Sequence, residues 1–306
     1  MSNIVYYHAH CTDGFAAAYA VYKHFNDGQD TEFVACNYNE PAPSVEQYDG
    51  KNVIIVDFSF PVDVMSNMQK RAAKFTWLDH HKTAFEMYGL TPDVLHMQIS
   101  DRINIVLDPN RSGALIAYDY FLDLDQKGRF LKLVHHIDDR DRWQFKLPET
   151  KAVHAALQLI KPWSFESWSA LDQELFSSED KFAAFVAAGE TALQVQNNQV
   201  ASAIKNPVKC YITYENSNEV IVRTSGLATN STVHMSEIGH ELCKQSGSYG
   251  LVYFIDQHGA AKCSLRSEGD YDVSIIAKFF GGGGHKNAAG FTVSVKELMQ
   301  FLGKSL

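Results

Sequence analysis

The sequence has no CxxC pair, and its five cysteines, Cys11, Cys36, Cys210, Cys243 and Cys263, are scattered and odd in number. That pattern argues against a disulfide framework and against a thiolate zinc site, and it favours a reducing compartment. Basic residues are not in excess either: 27 Lys and Arg stand against 36 Asp and Glu, a formal charge of −9. Proteins that hold duplex or long single-stranded nucleic acid rely on many Lys and Arg contacts to phosphate, and this composition offers no such broad footprint. A small anionic ligand held by metals and a few arginines is still compatible with it. No 18 apolar residues run together, and no signal-peptide-like apolar region opens the chain. The expectation is therefore a cytoplasmic protein, soluble and unexported, with no membrane contact.

What is present is 306 residues with 45% hydrophobic content, enough for two cores. The opening run Asn3-Ile-Val-Tyr-Tyr7 is β-prone, and it breaks into a polar turn, His8-Ala-His-Cys-Thr-Asp-Gly14, before the helical pattern of Phe15 to Tyr22. His8, His10, Cys11 and Asp13 are all potential ligands in that turn, and Asp13 could equally cap the helix. Asn52-Val-Ile-Ile-Val-Asp57 is a near-continuous apolar strand of the kind buried on both faces of a parallel sheet, and it ends in Asp57. A helix from Pro61 to about Arg71 leads to Lys74-Phe-Thr-Trp-Leu78, which ends in Asp79-His80-His81. Three successive strands thus end in metal-binding or proton-moving side chains, at the carboxyl ends where open α/β sheets bind ligands.

Further on, Arg102 to Leu107 is strand-like and runs into Asp108-Pro-Asn-Arg-Ser-Gly113 before a helix from Ala114 to Phe121. The Arg111-Ser112-Gly113 turn could present amides and a hydroxyl to phosphate, or Ser112 could be an ordinary helix cap. Phe130 to Ile137 reads as a helix whose end carries Asp138, Asp139 and Asp141. So many acids oppose the helix dipole unless a cation compensates, so Asp138 or Asp139 is expected to face a metal, with Asp141 structural. From Pro148 to about Ala203 the pattern is helical. A fresh set of strands then follows: Val208 to Thr213, Glu219 to Thr224, Tyr249 to Ile255 and Ala261 to Arg266. The stretch Gly281-Gly-Gly-Gly-His-Lys-Asn-Ala-Ala-Gly290 lets backbone amides converge on an anion, and Arg266 at the end of a neighbouring strand could clamp the same anion.

Together, Asp79-His-His81, the turn from His8 to Gly14, the strand-terminal Asp57 and the later acid cluster resemble the DHH phosphoesterase superfamily. The GGGGHxxAAG stretch, with Ser264-Leu-Arg-Ser267 before it, is similar to that superfamily's associated C-terminal substrate-binding domain. The resemblance covers nearly the whole chain and is weakest between about 148 and 205. It implies an α/β fold: a parallel-sheet catalytic domain over 1–147, a helical connector over 148–205 and a mixed α/β substrate-binding domain over 206–306, with the active site in the cleft between the domains.

The resemblance also implies a two-Mn²⁺ phosphodiesterase, with Mg²⁺ as the alternative cation. Asp57 would bridge the metals. His80 would ligate one of them, Asp13 would share it, and Asp139 or Asp138 would complete it, while His8 would belong to the other. Asp79 would orient its neighbours, and His81 would contact phosphate or protonate the leaving oxygen. Arg111 and Ser112 on one side, and Arg266, His285 and the amides of Gly282, Gly283 and Gly284 on the other, would hold substrate. One departure matters: many members carry Asp-x-Asp in the first motif, and Cys11 stands where the first acid would fall. Either His10 or Cys11 would then substitute for it or the first metal would be weakly held, with His8 and His10 favoured over Cys11 because a thiolate is a soft ligand ill suited to Mn²⁺.

The chemistry is coherent without the family, since paired cations on His and carboxylate ligands suit phosphodiester hydrolysis. The substrate expected is a short oligonucleotide or a linear or cyclic dinucleotide, cut 3′ to 5′ to nucleoside monophosphates, with no long duplex as partner. An exonuclease on single-stranded DNA and a non-catalytic nucleotide sensor are the alternatives, and the sequence leaves a homodimer open.

Overall fold

The computed structural model describes residues 2–25, 28–38, 40–92, 94–123, 128, 130–175, 178–215 and 220–302. The chain divides into two compact units, Met1–Leu193 and Gln194–Leu306. In the first, the strands are β1 (Asn3–His8), β2 (Thr31–Cys36), β3 (Asn52–Val56), β4 (Lys74–Asp79), β5 (His96–Gln98) and β6 (Ile103–Leu107). The intervening helices are α1 (Thr12–His24), α2 (Val45–Tyr48), α3 (Val62–Arg71), α4 (Lys82–Met87) and α5 (Gly113–Phe121). Then come α6 (Phe130–Asp141), α7 (Thr150–Leu159), α8 (Phe165–Leu175) and α9 (Glu179–Ala203).

The six strands form one sheet in the order β2-β1-β3-β4-β6-β5. All neighbours are parallel except β5 against β6. Period-two alternation explains why the strands read as continuous apolar runs. Val5, Ile54, Val56, Leu78 and Val106 face one core, with α1, α5, α6, α7 and α8. Ile4, Tyr6, Val53, Ile55, Phe75, Trp77 and Leu107 face the other, with α3 and α4. Both faces are buried, as parallel sheets require.

The strand order reverses between β1 and β3, which makes that junction the topological switch point, where an open α/β sheet leaves a crevice at its carboxyl edge. Register fixes what lines it. Tyr7 pairs with Val56, Val56 with Leu78 and Asp79 with Leu107, so the strand ends carrying His8, Asp57, Asp79 and Asp108 lie side by side.

In the second unit, the strands are β7 (Val208–Glu215), β8 (Ile221–Asn230), β9 (Tyr249–Ile255), β10 (Ala260–Ser267), β11 (Gly283–His285) and β12 (Ala288–Ser294). They form a mixed sheet in the order β11-β12-β10-β9-β8-β7, antiparallel throughout except β8 with β9. Its helices are α10 (Met235–Ser246), α11 (Val273–Phe279) and α12 (Val295–Phe301). Glu219, expected to open the second of these strands, lies outside the described residues.

Two features depart from the sequence expectation. The short strand β5 had no apolar signal. The helices of 148–193, expected as a connector, instead supply core to the first unit: Val153, Leu157, Trp168, Leu171, Leu175, Phe182 and Val186 are all buried there. α9 carries the chain onward, and Val200 near its end is buried with Ile238, Leu242 and Val252 of the second unit.

Trp168 on α8 has no exposed surface and packs its ring 4.9 Å from Phe15 and 5.8 Å from Phe130. Trp168→Ala is expected to destabilise the first unit by about 3–5 kcal/mol in urea unfolding. A loss of under about 1 kcal/mol would show that α8 is peripheral, as a connector would be.

Candidate metal centre

Asp57 sits at the middle of the crevice. It directly follows β3, it is 1% exposed, and its φ of 53° places a non-glycine residue in the left-handed region. Such backbone strain, of order 1–3 kcal/mol, persists where the surroundings over-determine it. Here they do: Asp57 N–H donates to Leu78 O at 2.9 Å, and the Trp77 indole N–H donates to Phe58 O at 3.0 Å. A Cβ on Gly113 would come within 2.5 Å of Asp57 Cβ, so only glycine fits the start of α5 against this residue.

Around Asp57 stand two imidazoles and more acids. His8 Nδ1 lies 3.5 Å from Asp57 Oδ2, and His80 Nε2 lies 3.2 Å from Asp57 Oδ1. His80 Nε2 is also 3.6 Å from Asp13 Oδ2 and 3.4 Å from Asp141 Oδ2. Neither Asp57 oxygen accepts a hydrogen bond of good geometry, and His8 Nδ1 makes none, although all three atoms are buried. Buried polar atoms left in that condition are costly unless another partner, such as a cation, completes them.

The donor atoms fall into groups sharing Asp57: Asp13, Asp57 and His80 in one, His8, Cys11 and Asp57 in another, and Asp57, Asp79 and His81 in a third. Within each group the atoms lie within 4.8 Å of one another. Nitrogen and carboxylate oxygen donors around a shared acid fit divalent cations such as Mn²⁺ or Mg²⁺.

The electrostatics agree. Burial, together with the charges of Asp57 and Asp141, pushes the Asp13 carboxyl well up from its usual range. Burial likewise raises Asp141. Asp57 resists burial because His8 and His80 beside it hold its carboxyl well below the usual range. Burial opposes charging His80, yet Asp57, Asp141 and Asp13 together push its pKa well up. Asp13, Asp57, Asp79 and Asp141 crowded around so few histidines form a cation-demanding arrangement.

Each side chain is placed by its element. Asp13, in the first turn of α1, accepts the backbone N–H groups of Gly113 (2.7 Å) and Ala114 (3.0 Å) at the start of α5. Asp79 ends β4 and acts as an organiser. Its Oδ1 accepts the backbone N–H of His80 (2.7 Å) and His81 (3.1 Å) and the His81 Nδ1–H (2.7 Å), while Oδ2 accepts the Ser59 hydroxyl (2.8 Å). Burial opposes protonation of His81, but Asp79 outweighs it and raises the imidazole pKa. Tyr38, 44% exposed, edges this cluster with its ring 5.4 Å from His8 and 6.3 Å from His81.

The structure places several of the expected residues differently from the sequence reading. The helix expected to end at Ile137 runs to Asp141, and its inward stripe of Phe130, Leu133, Val134 and Ile137 continues at helical spacing to Asp138 and Asp141. Asp141 therefore reaches His80. Asp139 accepts the Thr150 hydroxyl (2.6 Å) and the N–H groups of Lys146 (2.8 Å) and Leu147 (3.1 Å), so it caps a loop and joins no donor group among the described residues. Asp138 accepts the Ser112 N–H (2.7 Å) and pairs with Arg142 (2.9 Å).

Arg111 is held between Asp108 (2.6 Å) and Asp119 (2.8 Å), and Ser112, fully buried, caps α5. Of the amides expected to meet phosphate there, Ser112 N–H already serves Asp138 and Gly113 N–H serves Asp13. Finally, His10 is exposed at φ 55° and joins no donor group among the described residues, whereas Cys11 does.

In the second unit, Arg266 donates to Ser264 Oγ (3.1 Å), Leu265 O (2.8 Å) and Ser236 Oγ (2.7 Å). The glycine stretch forms the tight hairpin of β11 and β12, pairing Gly283 with Gly290 and His285 with Ala288. A Cβ on Gly282 would fall 2.1 Å from Gly290 O, so close backbone approach accounts for glycine there.

Asp141→Asn is expected to weaken divalent-cation binding at least tenfold by calorimetric titration with little change in stability. Asp139→Asn is expected to do the reverse, removing about 1–3 kcal/mol of stability while cation affinity holds. Opposed by burial but favoured by Thr150, Lys146 and Leu147, the Asp139 carboxyl sits below its usual value. Its contribution is therefore complete above about pH 4 and lost as the pH falls through that lowered value, a slope Asp139→Asn should flatten. Equal cation affinity in Asp141→Asn and the unaltered protein would remove Asp141 from the site.

Residues 232–305 match the family described as the DHHA1 domain. Across 95% of the chain, the protein is 28% identical over 307 residues to the uncharacterized protein R106 of Acanthamoeba polyphaga mimivirus, covering 68% of it. It is 24% identical over 223 residues to the oligoribonuclease NrnB of Bacillus subtilis, a match that spans 72% of this chain and 53% of that protein. Among solved structures, an uncharacterized protein from Helicobacter pylori G27 matches at TM-score 0.45 and 15% identity, covering 98% of each chain. The pGpG-specific phosphodiesterase PggH of Vibrio cholerae matches at TM-score 0.49 and 14% identity, covering 98% of this chain and 96% of that one. The DHHA1 match over residues 232–305 follows an Asp79-His80-His81 strand end that gathers Asp13, Asp57 and Asp141, the order that the sequence resemblance to the DHH phosphoesterase superfamily implies.

Proposed function

We propose that the protein is a metal-dependent phosphodiesterase acting on short oligonucleotides or dinucleotides, 3′ to 5′, with nucleoside monophosphates as products. The observation that carries this reading is Asp57, one buried carboxylate shared by the donor group of His8 and the donor group of Asp13 and His80. When bound, a pair of divalent cations supplies an activated water and neutralises the phosphoryl oxygens. Asp13, Asp57, His80 and Asp141 would hold one cation, Mn²⁺ by their oxygen-rich character, and His8 with Asp57 the other.

The protein's own groups do the rest. Asp79 fixes the His81 ring through Nδ1 and favours its protonated form, which suits His81 to donate a proton to the leaving oxygen or to contact the phosphate. Arg266, His285 and the amides of Gly282, Gly283 and Gly284 are assigned to substrate binding; all five lie within the DHHA1 segment. The charge of −9 supports a short substrate, since a long strand would meet few compensating cations. Similarity to an oligoribonuclease supports the same substrate class.

The test is turnover with Mn²⁺ of dinucleotides, 5-mers and long single-stranded DNA, read by product length. Mononucleotides are expected from the two short substrates. Asp57→Ala should be inactive, and Asp79→Asn should lose about 10–100-fold. Degradation of long DNA with neither short substrate cut would overturn the substrate assignment.

A further inference from the structure

Cys11 is unlike the other four cysteines. Cys36, Cys210, Cys243 and Cys263 are buried, whereas Cys11 is partly exposed at the edge of the acid cluster. It occupies the residue before α1 without capping that helix through its side chain. Its Sγ lies within 4.8 Å of donor atoms of both His8 and Asp57. Those two partners are the ones with buried, incompletely satisfied atoms: both Asp57 oxygens and His8 Nδ1.

We infer that Cys11 is a metal ligand, and that the His8, Cys11 and Asp57 group takes a thiophilic divalent cation such as Zn²⁺ while the Asp13, Asp57, His80 and Asp141 group takes a hard cation such as Mn²⁺. The inference rests on the two-cation reading above. The donor sets differ in the required way. One offers nitrogen, sulfur and one carboxylate, and soft thiolate selects Zn²⁺ or Co²⁺ over Mn²⁺ and Mg²⁺. The other offers one imidazole and three carboxylates, which suit a hard ion. Three protein ligands with a position left for water or substrate is the pattern of catalytic zinc sites, distinct from the four-ligand structural kind. Binding would release the thiol proton to solvent and form a sulfur–metal bond, with no redox change.

Cobalt reports on this directly, because a thiolate ligand gives Co²⁺ an intense near-ultraviolet charge-transfer band that His and carboxylate ligands do not. The full chain is stripped of metal with a chelator and titrated with Co²⁺, alongside Cys11→Ser, Cys11→Asp and Cys243→Ser. The last is needed because Cys243, with His240 and Glu268, is the other place among the described residues where a thiol meets such donors. The expected result is a band in the unaltered protein and in Cys243→Ser, absent in both Cys11 variants. Cys11→Asp, which keeps a ligand of the family's usual type, should still bind Co²⁺, and its preference for Zn²⁺ over Mn²⁺ should fall at least tenfold in competition. No band in the unaltered protein, or a band that survives in Cys11→Ser, overturns the inference. A Cys11-dependent band in a protein that cuts no phosphoester leaves this site standing and removes the catalytic reading; turnover without any band does the opposite.

Discussion

The structure depends on one electrostatic constraint: several carboxylates are buried at a single point, the carboxyl edge where the strand order reverses between β1 and β3. Asp13, Asp57 and Asp79 are each at most 1% exposed, and Asp141 reaches the same imidazole as Asp13 and Asp57. Like charges at such separations repel by several kcal/mol at the effective dielectric of a protein interior, about 4 kcal/mol for a pair 4 Å apart. His8 and His80 offset part of that repulsion, and the amides at the start of α5 offset more by holding Asp13. The strained φ of Asp57 and the absence of a side chain on Gly113 follow from the same demand, since both exist to bring a carboxylate where no hydrogen bond awaits it.

The sheet explains why these groups meet. Residues separated by twenty or more positions share an edge because the β1–β3 junction is the place where the strand order reverses, and the register sets their side chains abreast. The apolar runs behind them, buried on both faces, make that edge rigid. Asp79 then converts a strand end into an oriented pair, since one oxygen accepts three N–H groups of His80 and His81 and the other is fixed by Ser59.

Much of this was legible in the residues, and the misses have physical causes. Strand-terminal acids and histidines announce themselves because apolar runs stop there, so His8, Asp57 and Asp79 to His81 could be found without coordinates. The choice among Asp138, Asp139 and Asp141 depended on where α6 ends. Composition suggested that the acids lay past its terminus, whereas continuing the stripe from Phe130 through Ile137 leads to Asp141. The preference for His10 over Cys11 came from ligand softness, which says nothing of direction; the left-handed turn at His10 leaves that residue exposed while Cys11 joins His8 and Asp57. Arg111 and Ser112 carried a real helix-start signal, but its occupant is the Asp13 carboxylate, a pairing 100 residues apart that local pattern does not encode. Tyr38 lies in a loop after β2 and has no periodic signature at all.

We propose that Asp57 belongs to two cation sites at once. The most direct test is the number of divalent cations bound per chain, by elemental analysis after equilibrium dialysis, in the unaltered protein and in Asp57→Asn. Two per chain falling to none, with the fold intact by circular dichroism, is the predicted result. One cation retained at undiminished affinity in Asp57→Asn would contradict the account, because a ligand of both sites cannot be lost from only one.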